Sequence, residues 1–166
     1  LLANLKQNAP HRDGEPRDAH DDLDSEKSVG GLLKSIEACG YRAEFIEGNL
    51  DAIGKLKRLK PDLAFNICEM HCGAARESQI PAMLEMMRIP YTGSRVLTMA
   101  LTLDKAMTKR VLAFHGLPTP EFQEFCRADE PLDPKLKFPL FVKPAREGTG
   151  MGVNDKSIVH DEAELR

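Results

Sequence analysis

No apolar run in the 166-residue sequence approaches the roughly eighteen residues that a membrane-spanning helix needs. The opening stretch, LLANLKQNAPHRDGEPRD, holds too short an apolar region to act as a secretory signal. Positive charge is not in excess: 23 Lys and Arg stand against 26 Asp and Glu, a formal net charge of −3. Neither nucleic acid nor an anionic membrane therefore has an electrostatic claim as the main partner. Cysteine is sparse, and the residues at 39, 68, 72 and 126 make no secreted disulfide framework. Reduced thiols in a cytoplasmic protein are the expectation. What is present is globular composition, 42% hydrophobic and 30% charged, with length for one domain or one and a half.

Strands and helices alternate from the start. Residues 1–5 read as the end of a first strand. Residues 6–24 form a polar loop with Pro10, Gly14 and Pro16, in which Asp18, Asp21, Asp22 and Asp24 surround His20. Composition favours a plain solvated loop there, although a loop this long after a first strand often carries function. Val29, Leu32, Leu33 and Ile36 share one face of a helix over 25–39, capped by Asp24 or Ser25 and stopped by Gly40. Residues 41–46 read as a second strand and 49–59 as a helix with Ile53, Leu56 and Leu59 inward. Residues 62–67, DLAFNI, read as a buried third strand. This order argues a parallel sheet with helices on its faces. In such sheets ligands bind at the carboxyl ends of strands, where CEMHCGAAR follows. Cys68, His71 and Cys72 lack a zinc-ribbon spacing and a second pair, which argues against a metal site. A helix over 77–87 then turns Ile80, Met83, Leu84 and Met87 inward.

An extended IPYTGS leads to a helix over 95–102 with Ser94 as its cap. A second helix over 104–114 places Leu103, Met107, Val111 and Phe114 on the buried side. Lys105 lies in its first turn, against the helix dipole, which suggests an anion nearby, although solvation alone would also explain it. Residues 121–125 read as a strand after the break GLPTP.

The most distinctive stretch is 138–152, FPLFVKPAREGTGMG. A buried strand ends at Lys143, and Gly148, Gly150 and Gly152 leave the backbone free to approach a ligand. Exposed N–H groups in such a loop make an anion-binding concavity. The spacing is not GxGxxG, no helix follows, and no Walker ending is present. Strand, glycine loop, strand is a hairpin laid over a ligand. An ordinary glycine-rich turn has the same composition, but the adjacent lysine favours phosphate.

With IPYTGS, LDKAMTK, GLPTP and FVKPAREGTGMGV in this order, the chain resembles the D-alanine–D-alanine ligase branch of the ATP-grasp superfamily. The resemblance runs from about residue 65 to 153. It implies an α/β fold: an N-terminal parallel open sheet with flanking helices over 1–103, which binds substrate. Residues 104–166 would be a linking helix and the start of an α+β ATP-grasp central domain. It implies that Lys105 and Lys143 reach the ATP phosphates and that the loop Glu147, Gly148, Thr149, Gly150, Met151 and Gly152 covers them. Where family ligases carry two serines, Thr149 keeps a hydroxyl, in a catalytic position, and Gly150 does not. Asp21 or Asp22 would hold the amine of the first amino acid. The loop 68–73 is about two residues longer than the family's, which bears on substrate rather than on ATP.

The reaction so implied is ATP-driven carboxylate–amine ligation through an acyl phosphate, in cell-wall peptidoglycan synthesis, with Mg²⁺ held by residues outside this chain. Partners would be small molecules, with a homodimer possible. An ATP-grasp ligase for another amino acid or small carboxylate, a non-catalytic nucleotide-binding module and a plain structural α/β piece are the alternatives. Both ends read as cut, since no Met opens the chain and a helix start at Asp161 and Glu164 is followed by one turn. A fragment of a longer protein, inactive alone and binding ATP weakly or not at all, is the expectation.

Overall fold

The structure, a computed structural model, describes residues 1–11 and 13–166. The chain divides into two compact units, Leu1–Ala100 and Leu101–Arg166.

In the first unit, β1 (Leu2–Ala3) pairs in parallel with β2 (Ile46–Glu47), with Leu2 opposite Ile46. The expected third strand is present only as single parallel bridges, Leu2 to Asn66 and Ala64 to Tyr91. Its backbone is nonetheless used: Leu2 donates to Phe65 at 2.8 Å and Ile67 donates back to Leu2 at 2.9 Å. IPYTGS continues the same side through Thr92 N–H on Ala64 at 3.0 Å. The result is a short parallel layer built from DLAFNI and its neighbours, as alternating strands and helices require.

Three helices pack on this layer. In α1 (Glu26–Ala38) Ser25 is the cap, its hydroxyl accepting from Ser28 N–H at 3.1 Å, and Gly40 follows at φ +88°. Of its expected apolar face, Val29 is buried beside Ala3 and Leu5, with Leu33, Phe45 and Ile67 against them. The helices α2 (Asp51–Leu59) and α3 (Gln79–Met86) bury Leu56 and Leu84 against Leu2, Ile46, Ala64, Cys68 and Ile80. Among the described residues no helix is long and apolar enough to cross a membrane.

Gly48 sits where the layer is tightest. A Cβ there would lie 2.5 Å from Cys68 Sγ and 2.7 Å from Asn4 Oδ1. Asn4 is itself buried and donates to the Gly48 carbonyl at 2.9 Å. Gly48→Ala is therefore expected to cost roughly 1–3 kcal/mol by overpacking, read as a lower urea midpoint by circular dichroism.

The division between the units falls inside α4 (Val96–Leu103). In the second unit, α5 (Lys105–Phe114) is capped by Asp104, whose Oδ1 accepts from Met107 N–H at 2.9 Å. Its buried residue is Ala106, whereas Met107, Val111 and Phe114 are exposed, Phe114 at 87%. This corrects the expected inward face at those three positions, while Leu103 is buried as expected. The helix is oriented by polar contacts at its start: the Thr108 hydroxyl donates to the carbonyls of Leu101 and Asp104 at 2.7 and 2.8 Å. No strand forms over 121–125, where side chains serve polar contacts instead, such as Arg110 to Glu124 at 2.9 Å.

The strand expected over 138–142 is reduced to β3 (Leu140–Phe141), and it is not buried: Phe141 is 55% and Val142 42% exposed. Its one partner among the described residues is β4 (Ile158–Val159), antiparallel, with Leu140 opposite Val159. The loop thus lies in a hairpin; a single 3-10 turn, Asp155–Ser157 capped by Asn154, stands between it and β4, and no α-helix opens on it. Asp161 caps α6 (Glu162–Leu165) through Glu164 N–H at 2.9 Å.

Candidate functional site

The glycine loop is attached to the start of α5. Lys105 N–H donates to the Ala145 carbonyl at 3.0 Å, and Lys105 Nζ donates to the Glu147 carbonyl. Arg146 Nε donates to Asp104 Oδ2 at 2.8 Å. Asp104 is held below the usual carboxylate range, first by Met107 N–H and then by Arg146. So the residue that caps the helix also clasps the root of the loop. The Lys105 charge, unfavourable beside a helix N-terminus, is offset in part by a loop carbonyl.

Beyond that root the backbone takes two tight turns, Met151 N–H to Gly148 at 2.9 Å and Val153 N–H to Gly150 at 3.0 Å. Thr149, Gly150 and Gly152 all have positive φ, at +50°, +79° and +70°. For a β-branched threonine that conformation costs on the order of 1–3 kcal/mol, and such strain gathers at functional sites. The N–H groups of Thr149 and Gly150 donate to no backbone carbonyl among the described residues. Gly152 has no room for a side chain, since a Cβ would sit 2.7 Å from Pro144 Cγ. A run of left-handed backbone beside a lysine has the chemistry to receive a phosphate chain. The residues present therefore fit the phosphate end of ATP. Lys143 is exposed, its Nζ 6.0 Å from the centre of the Phe141 ring.

The first unit holds a second constellation at the carboxyl end of its parallel layer. Leu5 bridges to Asp24, and Asp24 N–H donates to Asn4 at 2.9 Å, which pins the polar loop beside β1. This separates the two aspartates. Asp21 is half-exposed and pairs with Lys6 at 2.6 Å. Asp22 is buried, with Arg76 Nη2 3.9 Å from its Oδ2. Glu69 and Glu77 complete a carboxylate group with Asp22, and Arg76 Nε lies 3.3 Å from Glu77 Oε1. Burial, together with a hydrogen bond to Glu69, pushes the Glu77 carboxyl up to about 9.

Sequence reasoning overlooked Glu69, Arg76 and Glu77. The available signal was charge placed directly before a wholly apolar helix face. It singled out Cys68, His71 and Cys72 instead. Cys68 is buried and its thiol is pushed up by burial, while Cys72 is exposed. His71 lies edge-on to His20, ring centres 6.3 Å apart, and burial followed by His20 lowers its pKa.

No family model matches the chain. It is 37% identical over 134 residues to the D-alanine–D-alanine ligase of Syntrophotalea carbinolica, covering 81% of this chain and 42% of that protein. It is 33% identical over 148 residues to the D-alanine–D-alanine ligase of Moorella thermoacetica, covering 84% and 46%. The uncharacterized protein y4sG of Sinorhizobium fredii is 34% identical over 143 residues, covering 81% and 41%. Among solved structures, D-alanine–D-alanine ligase from Bacillus anthracis complexed with ATP aligns with a TM-score of 0.58 at 28% identity, covering 86% of this chain and 49% of that one. The chain spans about half the length of the curated relatives it matches. Over the stretch it shares with them, the chain is a homologue of the D-alanine–D-alanine ligases and carries the α/β fold of that ATP-grasp family.

Proposed function

We propose that this chain forms part of an ATP-dependent carboxylate–amine ligase that joins two D-alanines for cell-wall peptidoglycan synthesis in the cytoplasm. The reaction passes through an acyl phosphate: the γ-phosphoryl group moves to a substrate carboxylate, and the second substrate's amine then attacks that carbonyl and expels phosphate. The attachment of the α5 start to the root of the glycine loop carries this reading, because it holds Lys105 Nζ beside the loop backbone at Glu147, where one phosphate could meet both.

Lys105 and Lys143 neutralise charge on the transferring group, and the loop N–H groups orient it. The loop also excludes water, which would hydrolyse the acyl phosphate. Thr149 offers a hydroxyl at the same place. Asp22 is favoured over Asp21 for the substrate amine, because its side chain is buried in the carboxylate group at the carboxyl end of the layer, whereas Asp21 is half-exposed. Mg²⁺ belongs to the proposal, with its ligands in the part of the family's length that this chain does not span. Partition of the chain at 103/104 into a substrate domain and the start of the ATP domain, and a homodimer, belong to it as well.

The test is ADP release by the whole protein that carries this chain, with Mg²⁺ and D-alanine against a panel of other amino acids. D-alanine-dependent release is expected, lowered on the order of 10²–10³-fold in Lys105→Ala and Lys143→Ala. Release with another amino acid keeps the ligase and discards D-alanine. The Asp22–Glu69–Glu77 carboxylate group gives that second reading its support. ATP binding without release on any acceptor selects a non-catalytic module.

A further inference from the structure

We propose that the long polar loop after β1 holds a divalent transition metal of the zinc class on His11, Glu15 and His20. One donor atom from each of the three lies within 4.8 Å of the other two. Small side-chain rotations close such a set around an ion at the usual 2.0–2.2 Å bond lengths. Two imidazoles and a carboxylate suit zinc, nickel or copper, whereas magnesium and calcium favour oxygen alone. The Mg²⁺ of the ligase reading does not belong here, and this inference does not rest on that reading.

The loop is folded so as to bring the three together. Gly14, at φ +81°, stands in a turn directly before Glu15. Downstream, Ala19 N–H closes on Pro16 at 3.2 Å and Asp21 N–H on Asp18 at 3.0 Å, which returns His20 to the same place. The His11 and His20 rings stand edge to face with centres 5.4 Å apart.

His20 Nε2 carries the strongest indication. It is buried and finds no hydrogen-bond partner among the described residues, although Glu15 Oε2 lies 3.2 Å away. A buried ring nitrogen left without a bond costs free energy, and a metal would satisfy it. The same residues line an open cavity of about 670 Å³, with room for a water or small ligand as fourth donor. Lys6 and Arg17 also line it, and Lys6 is turned to Asp21. The competing account is a plain His20–Glu15 ion pair in a solvated loop.

Cobalt(II) titration of the purified protein separates the two, with visible absorption as the readout and zinc as competitor. Expected are one ion per chain, no thiolate-to-cobalt charge-transfer band, displacement by equimolar Zn²⁺ and none by excess Mg²⁺. His11 and Glu15 lie toward the solvent side, so His11→Ala and Glu15→Gln should leave thermal unfolding of the apoprotein unchanged. Each should weaken binding at least about tenfold. Cys72→Ser should have no effect. No binding at stoichiometric metal, a thiolate band lost in Cys72→Ser, competition by Mg²⁺, or wild-type affinity in His11→Ala would overturn the proposal.

Discussion

Arg76→Ala is expected to cost about 3–5 kcal/mol of stability, the usual range for removing one member of a buried charge group. Arg76 is buried at the carboxyl end of the parallel layer, its guanidinium near both Asp22 and Glu77. It faces a cluster of three carboxylates, Asp22, Glu69 and Glu77, and pairs with the first and the last of them. Without it those groups must repel one another or take up protons. The loss should therefore be greater at high pH than at low pH. Urea unfolding of Arg76→Ala at pH 5 and pH 8 measures both, and a midpoint within experimental error of wild type at pH 8 would sink the idea.

Glu77 should make the stability of the wild-type protein depend on pH across a wide window. Its carboxyl is pushed up to about 9 by burial first, then by its hydrogen bond to Glu69 and the charges of Glu69 and Asp22, with Arg76 pulling the other way. An unfolded glutamate titrates near 4.5. Between these values the folded chain keeps a proton that the unfolded chain has released. The contribution is complete below about pH 4.5 and is lost as the pH rises through about 9. One such proton sets a slope of at most about 1.4 kcal/mol per pH unit, and the total falls on the order of a few kcal/mol. Glu77→Gln has no proton to lose and retains a donor for Glu69. It should flatten the profile between pH 5 and pH 9 and overtake wild type at the alkaline end. An unchanged slope in Glu77→Gln would place the pH dependence elsewhere.

Local signals were legible wherever a few adjacent residues decide the outcome. The cap of α1, read as Asp24 or Ser25 and found at Ser25, the stop at Gly40, and the apolar faces of α2 and α3 follow from spacing and side-chain chemistry, and the structure has them. The same holds for the hairpin around the glycine loop: VNDKSIVH carries turn residues and then a strand-like run, and it forms one 3-10 turn and β4 rather than an α-helix. What failed depended on packing at a distance. Phe141 and Val142 are apolar in a strand pattern, yet burial needs a covering layer, and none lies over them among the described residues. The stripe Met107, Val111 and Phe114 has helical spacing, but Asp104, Lys105 and Thr108 decide which way α5 faces. The Asp22–Glu69–Arg76–Glu77 group joins residues more than forty positions apart, and nothing in a single sequence pairs them.

Met151 changes how the glycine loop can move. The turns on either side are open, but Met151 at the crown is only 8% exposed. Burying a methionine side chain is worth about 1.5–3 kcal/mol. Lifting the crown would forfeit that amount, so the raised state would hold between roughly a tenth and a hundredth of the molecules. The root, clasped by Arg146 and Asp104, need not move at all. The loop is then a latch with one resting notch. Its release depends on withdrawing one unbranched side chain with three rotatable bonds.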